Sequence, residues 1–381
     1  MKDKILILAA DLEQVLPIAK SLYDKGFEIH GIFSSKLSYG YGSRYIKRKY
    51  IHQNYLFIKS VLQKERYVSI IPMRDSAAEV MCKYRDDLLQ YTAYVMPDAD
   101  GFERGFDKQR LMEVCKMHGY PHPETYIVRN GSLCGLDIEE IRYPVLIKPN
   151  HTFGARGMTL CRNKDELEKK YPIIFNQFGE CHLQTYIPEG GHQVEVQIYI
   201  NEKQELVQSS VIKKFRWYPN KGGSSCCNIS CKNEKIVDIC YKVLKSIGWV
   251  GFADFDTIED PRTGELLIME INPRVPACVK SAFASGIDWA DVIVGEYLKK
   301  SHKVYQMNRE VYLRFLGVEV LWFLKSENKW HTKPNWFNFF GKDIFYQDMS
   351  DWTDPMPFIR GTIGNIKKQL SPEFRKSKAG V

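Results

Sequence analysis

The chain has no apolar run approaching the ~20 residues needed to span a bilayer. Its N-terminus, Met1-Lys-Asp-Lys-Ile-Leu-Ile-Leu-Ala-Ala, holds only enough apolar residues for one buried strand before Asp11. That is too short for the apolar region of a secretory signal. The expectation is therefore a cytoplasmic protein without stable membrane insertion. Residues 9–13 (Ala-Ala-Asp-Leu-Glu) after that first strand lack G-x-G-x-x-G, so a dinucleotide site at the first turn is not expected. Zinc spacing is missing too. Cys226, Cys227, Cys231 and Cys240 form the densest group of the ten cysteines, and none gives the paired C-x2-4-C pattern of a structural site. With no secretory signal, these cysteines are expected to be reduced thiols.

What is present is the balance of an ordinary globular protein, with 44% hydrophobic and 26% charged residues over 381 positions. That length implies two or three domains. The net charge of +8 is moderate, and no nucleic-acid module is evident, so no nucleic-acid partner is expected. The charge suits a small anionic substrate. Basic residues gather at Arg44, Lys47, Arg48 and Lys49, and again from Lys367 onward, where a solvated tail is expected.

Hydrophobic periodicity predicts alternating elements over the first ~100 residues: strands at 4–9, 27–33, 55–58 and 68–72, and a helix at 13–25 ended by Gly26. Such alternation implies a parallel sheet. A helix is predicted at 107–118 with Asp107 as its cap. Strands follow at 126–128 and 143–149, then a loop at 151–157, a helix at 164–170 and a strand at 182–186. The remainder predicts an antiparallel pair, 193–200 with 206–213, a helix at 234–247, and a hairpin, 251–258 with 266–271.

That hairpin carries the strongest chemical signal. Alternate strand residues share a face, so Glu270 and Asn272 point one way while Ile271 faces the core. Asp254 and Asp256 on the neighbouring strand bring carboxylates beside them. Two carboxylates and an amide oxygen make a hard-oxygen site with positions left open for phosphate oxygens and water. Arg274 keeps the same phase and adds an anion-binding fork.

Glu270-Ile-Asn-Pro-Arg, preceded by Asp254 and by Val145-Leu-Ile-Lys148-Pro, resembles the ATP-grasp superfamily. Within it the chain is most similar to the carboxylate–amine ligase branch, which includes D-aspartate ligases and carbamoyl-phosphate-synthase-like proteins. The resemblance implies a mixed α/β and α+β chain. Its units are a Rossmann-like domain at 1–105, an ATP-grasp subdomain with a glycine-rich lid at 106–187, a second subdomain with the metal site at 188–300, and an aromatic-rich extension packing on the body at 301–381.

It further implies ATP as co-substrate, with magnesium (manganese as the alternative) on Asp254, Glu270 and Asn272. Lys108 and Lys148 match the phosphate-binding lysines. Gly154 and Gly157 match the lid, where backbone N–H groups close over phosphates. Gln184, Tyr186 and Ile187 match the adenine-reading hinge, and Gln193 and Glu195 the ribose contacts. Arg274, Arg216 and Lys213 are expected at the transferred phosphate and the substrate carboxylate. Only one of Lys213 and Lys214 is expected to face the site, and Arg216 is the candidate for holding the carboxylate bidentately.

The expected reaction is phosphorylation of a carboxylate to an acyl phosphate, followed by attack of an amine, with ADP and phosphate released. Phosphorylation of bicarbonate or carbamate is the enzymatic alternative, and a non-catalytic nucleotide-binding module the other. The expected partners are small carboxylate and amine substrates, with a homodimer an admissible assembly.

Overall fold

The computed structural model describes residues 2–52, 54–152, 156–218, 224–349 and 351–371. Four strands, β1 (Lys4–Leu8), β2 (Glu28–Phe33), β3 (Ile46–Ile51) and β4 (Ser69–Pro72), form a parallel sheet in the order β3-β2-β1-β4. The central strand β1 is almost wholly inaccessible, which explains its unbroken Ile-Leu-Ile-Leu run.

The third strand is not at 55–58. Asn54 accepts a hydrogen bond from the Phe57 amide at 2.8 Å and caps a helix, Tyr55–Lys64, there. One edge strand is β3, which contains the basic run Lys47-Arg48-Lys49. Charge on an edge strand blocks pairing with another chain, and here it is also compensated, with Lys47 on Glu28 and Arg48 on Glu65.

A second sheet holds β5 (Thr125–Tyr126), β6 (Val145–Pro149), β7 (Thr159–Cys161) and β8 (Cys181–Thr185) in the antiparallel order β5-β8-β6-β7. It has its own small core around Val145, Ile147, Leu167, Tyr171 and Leu183, separate from the main one. The helix predicted at 164–170 runs on to Phe178.

The largest sheet has seven strands in the order β13-β12-β9-β10-β11-β14-β15. These are β9 (Gln193–Ile200), β10 (Leu206–Tyr218), β11 (Ser224–Cys231), β12 (Gly251–Glu259), β13 (Leu266–Asn272), β14 (Tyr312–Arg314) and β15 (Ile344–Tyr346). Its apolar residues join those of the parallel sheet in one continuous core. Phe255 and Ile271 are sealed there, and at ~1.5–3 kcal/mol for each buried side chain they fix which face β12 and β13 present outward.

The segment from β14 onward is tied to both the large sheet and the N-terminal unit. β14 and β15 extend the large sheet, and a helix, Met356–Leu370, packs on the N-terminal unit. The expected solvated tail from Lys367 is thus helical as far as Leu370. All ten cysteines are free thiols.

Candidate active site

Strand register assembles one polar row across three strands. Asp254 pairs with Asn272 and Asp256 with Glu270 between β12 and β13. Between β12 and β9, Asp254 pairs with Gln197, Asp256 with Glu195 and Ile258 with Gln193. Residues opposite one another in a ladder share a face, so Asp254, Asp256, Glu270, Asn272, Glu195 and Gln193 all lie on one side of the sheet. The alternate positions, Phe255 and Ile271, are in the core.

The three residues expected to hold metal are therefore together, and Asp256 joins them. Asn272 Nδ2 lies 3.3 Å from carboxylate oxygens of both Asp254 and Asp256. Asp254 is buried, and its Oδ1 has no hydrogen-bond partner. Burial, together with the charges of Glu195 and Asp256, pushes its carboxyl well above the usual range. An orphaned carboxylate oxygen beside further hard-oxygen donors fits a divalent cation. Asp256 was legible from the same period-2 pattern.

Among the described residues, four cations face this row. Burial alone would raise the Asp256 carboxyl, but Lys214, 2.7 Å away, keeps it below the usual range. Lys214 also lies 3.1 Å from Glu195. Lys108 Nζ lies 3.2 Å from Glu270 and donates to the Thr152 carbonyl at 2.9 Å. Lys108 opens the helix Lys108–His118, whose cap, Asp107, accepts from the Arg110 amide and pairs with His151 at 3.0 Å. That contact with Asp107 raises the His151 pKa.

Lys148 comes from the other sheet, on β6, and is buried with its ammonium on the Gln184 side-chain oxygen at 2.9 Å. Burial lowers its pKa to about 8; Glu270 opposes the shift and Lys108 adds to it. Arg274 lies 3.2 Å from Asp75 and 3.7 Å from Asp254. Asp75 is a residue that the sequence reading missed. Its signal was its place just past the carboxyl end of the parallel strand β4, where open α/β sheets set their ligand-facing residues.

Two of the expected catalytic residues are elsewhere. Lys213 pairs with Val194 and Ile229, on the opposite face from the carboxylates, so Lys214 is the lysine that faces the site. Arg216 should share the phase of Lys214, but the β10–β11 register shifts between Lys214 and Arg216. This β-bulge turns Arg216 to the other side of the sheet. There it is buried, paired with Glu319, hydrogen-bonded to the Pro334 carbonyl and stacked over Trp322. Its guanidinium holds the C-terminal segment rather than a substrate.

The hinge residues also differ from expectation in part. The Gln184 carboxamide is used on Lys148 and on the Thr125 hydroxyl, and the Tyr186 amide donates to the Pro144 carbonyl at 3.0 Å. Gln184 therefore positions a lysine instead of presenting its side chain to a base. A cavity of about 360 Å³ lies beside the hinge, lined by Tyr186, Ile187, Pro144 and Leu267 among others. None of the residues of the polar row lines it. Gly157 has φ +75°, and a Cβ there would come within 2.7 Å of the Phe178 ring, so glycine is required. Gly154, the other lid glycine, lies outside the described residues.

The arrangement is thus a row of buried and half-buried carboxylates ringed by Lys148 from β6, Lys214 from β10, Lys108 and Arg274. It can hold a divalent cation and a polyphosphate between them. The family model described as "Carbamoyl-phosphate synthase L chain, ATP binding domain" matches residues 107–298. A D-aspartate ligase of Enterococcus faecium is 27% identical over 243 residues, covering 58% of each chain. The C-terminal section of the carbamoyl phosphate synthase large chain of Methanopyrus kandleri is 21% identical over 198 residues, covering 48% of this chain and 35% of that one. The chain thus spans 58% and 35% of the lengths of these two relatives. Among solved structures, a biotin carboxylase from Campylobacter jejuni, in a beta-gamma-ATP complex, superposes with a TM-score of 0.69 at 18% identity, over 82% of this chain and 75% of that one. At that identity the likeness speaks for the fold.

Proposed function

The chain belongs to the ATP-grasp superfamily, in the family of the carbamoyl-phosphate synthase L chain ATP-binding domain, and from that premise we propose that it is an ADP-forming carboxylate–amine ligase. The observation that carries the reading is the row Asp254, Asp256, Glu270 and Asn272 faced by Lys108, Lys148, Lys214 and Arg274. The division of the chain at residues 105, 187 and 300 belongs to the same proposal.

A substrate carboxylate oxygen attacks the γ-phosphorus of ATP, and the bond to the departing ADP oxygen breaks. The amine then attacks the acyl carbon, phosphate leaves, and the amine proton departs with it. Asp254, Glu270 and Asn272 are the residues suited to holding magnesium, which when bound neutralises phosphate charge. Lys148, kept in place by Gln184, and Lys108 bind phosphate oxygens with fixed donors that need little reorganisation during the reaction. Arg274, anchored by Asp75, orients the anionic reactant. A carboxylate nucleophile needs no general base, and none is assigned.

Hydroxylamine should trap the acyl phosphate as a hydroxamate, dependent on ATP and on the correct carboxylate, found by screening amino acids and sugar acids for ADP release. Glu270→Gln should abolish that release in a protein that still folds. Formation of AMP and pyrophosphate would exclude the acyl-phosphate route.

A further inference from the structure

The helix Met356–Leu370 docks on the N-terminal unit through its small residues. A Cβ at Gly361 would stand 2.2 Å from the Tyr39 ring, and one at Gly364 would stand 2.1 Å from the Leu37 carbonyl. Asn365 completes the contact by donating to the Tyr39 hydroxyl at 2.9 Å. With glycines on the inside, most of the large apolar residues are left outside. Met356, Ile359, Ile363, Ile366 and Leu370 are 41% to 63% exposed, and the exposure rises along the helix. Their spacing of three, four, three and four residues sets them in one stripe. A surface helix ordinarily buries such a stripe. Trp352, just before the helix, is 82% exposed.

The charges within the helix have one sign. Between Met356 and Leu370 the ionisable residues are Arg360, Lys367 and Lys368, with no Asp or Glu. Lys36 and Arg44, both exposed, adjoin the same segment. Arg360 donates to the Lys36 carbonyl at 3.3 Å, and Arg44 to the Thr353 carbonyl at 3.0 Å. Asp354, the nearest acid before the helix, is buried on Ser43.

We propose that this stripe docks the protein on a bilayer surface bearing anionic headgroups. A helix lying in the interfacial plane needs one apolar face, basic residues at its margins and no acids to repel the headgroups. An exposed tryptophan at its end suits the same depth. No helix among the described residues is long and apolar enough to cross a membrane, so the association is peripheral. A second copy of this helix is a poorer occupant. With the stripe as an antiparallel two-helix seam, Arg360 and Lys367 fall at the flanking positions, where two copies would set like charges together. The 15 residues also give a seam only about 22 Å long, too short by itself for the ~800 Å² per partner of a standard interface.

The test is cosedimentation of the full chain with vesicles of phosphatidylcholine alone and of phosphatidylcholine mixed with phosphatidylglycerol. The expected result is binding to the anionic vesicles, weakened by salt. The Ile363→Ser/Ile366→Ser double variant should lower the partition about tenfold or more, and Lys367→Glu should lower it as well. These side chains lie outside the packed core, so the melting temperature and ATP turnover should stay unchanged. Absence of binding to the anionic vesicles, or equal binding by the double variant, would overturn the proposal. So would a lipid-free oligomer that the double variant dissolves, because the stripe would then be covered by protein.

Discussion

Lys214 Nζ stands 2.7 Å from Asp256, across from its neighbour Lys213 on the other side of the same strand. The ammonium also reaches Glu195 at 3.1 Å and so separates two carboxylates that would otherwise face each other. Burial opposes a charge on Lys214, but Asp256 and Glu195 outweigh it and hold its pKa well above the ordinary lysine value. Lys214→Met should therefore leave uncompensated carboxylates, cost about 3–5 kcal/mol in chemical denaturation and abolish ADP release. Lys213→Met should change stability by no more than about 0.5 kcal/mol. Loss of turnover in the Lys213 variant, with Lys214→Met active, would show that the wrong face has been assigned.

The second prediction concerns Arg216. Glu319 lies fully buried between Arg216 and Arg314, and Arg314 also donates to the Trp336 carbonyl at 2.8 Å. The triad fastens the helix Leu316–Lys325 to β10 and β14, on the sheet face away from the carboxylates. Glu319→Gln leaves two guanidinium groups without their anion and should destabilise the fold by about 3–5 kcal/mol. Arg216→Ala should likewise lower the denaturation midpoint while leaving KM for the carboxylate unchanged in the folded fraction. A raised KM with unaltered stability would return Arg216 to the substrate site.

How far the sequence could be read follows from these positions. Period-2 alternation made Asp254, Glu270 and Asn272 legible, because Phe255 and Ile271 needed the core and left the alternate residues one face. The same rule failed at Arg216, since the irregularity after Lys214 has no signature in Lys-Lys-Phe-Arg. It fails more mildly at residues 55–58, where the apolar run is too short to show its period and the cap Asn54 starts a helix instead. The ion-pair partner of Asp75 and the lysine that Gln184 positions lie outside local pattern. The roles of Asp75 and Gln184 come from Arg274 and Lys148, each distant along the chain and brought close only by tertiary packing.

Lys148 supplies the last prediction. In the free protein its burial brings its pKa down from the ordinary 10.5 to about 8. Below about 8 the ammonium is charged and attracts a phosphate; above it the amine is neutral and the attraction is lost. Since kcat/KM reports ionisations of the free enzyme, kcat/KM for ATP should fall as pH rises through about 8. Lys148→Arg should remove that limb, because the guanidinium stays charged, though its different shape should lower the plateau. Stability should run the opposite way. The unfolded chain binds more protons than the folded one between about 8 and 10.5, so this group makes folding more favourable as pH rises across that window. Lys148→Met should flatten that rise in denaturation experiments and also weaken ATP binding. A wild-type kcat/KM that stays level through pH 8, with Lys148→Met binding ATP normally, would place the phosphate away from Lys148.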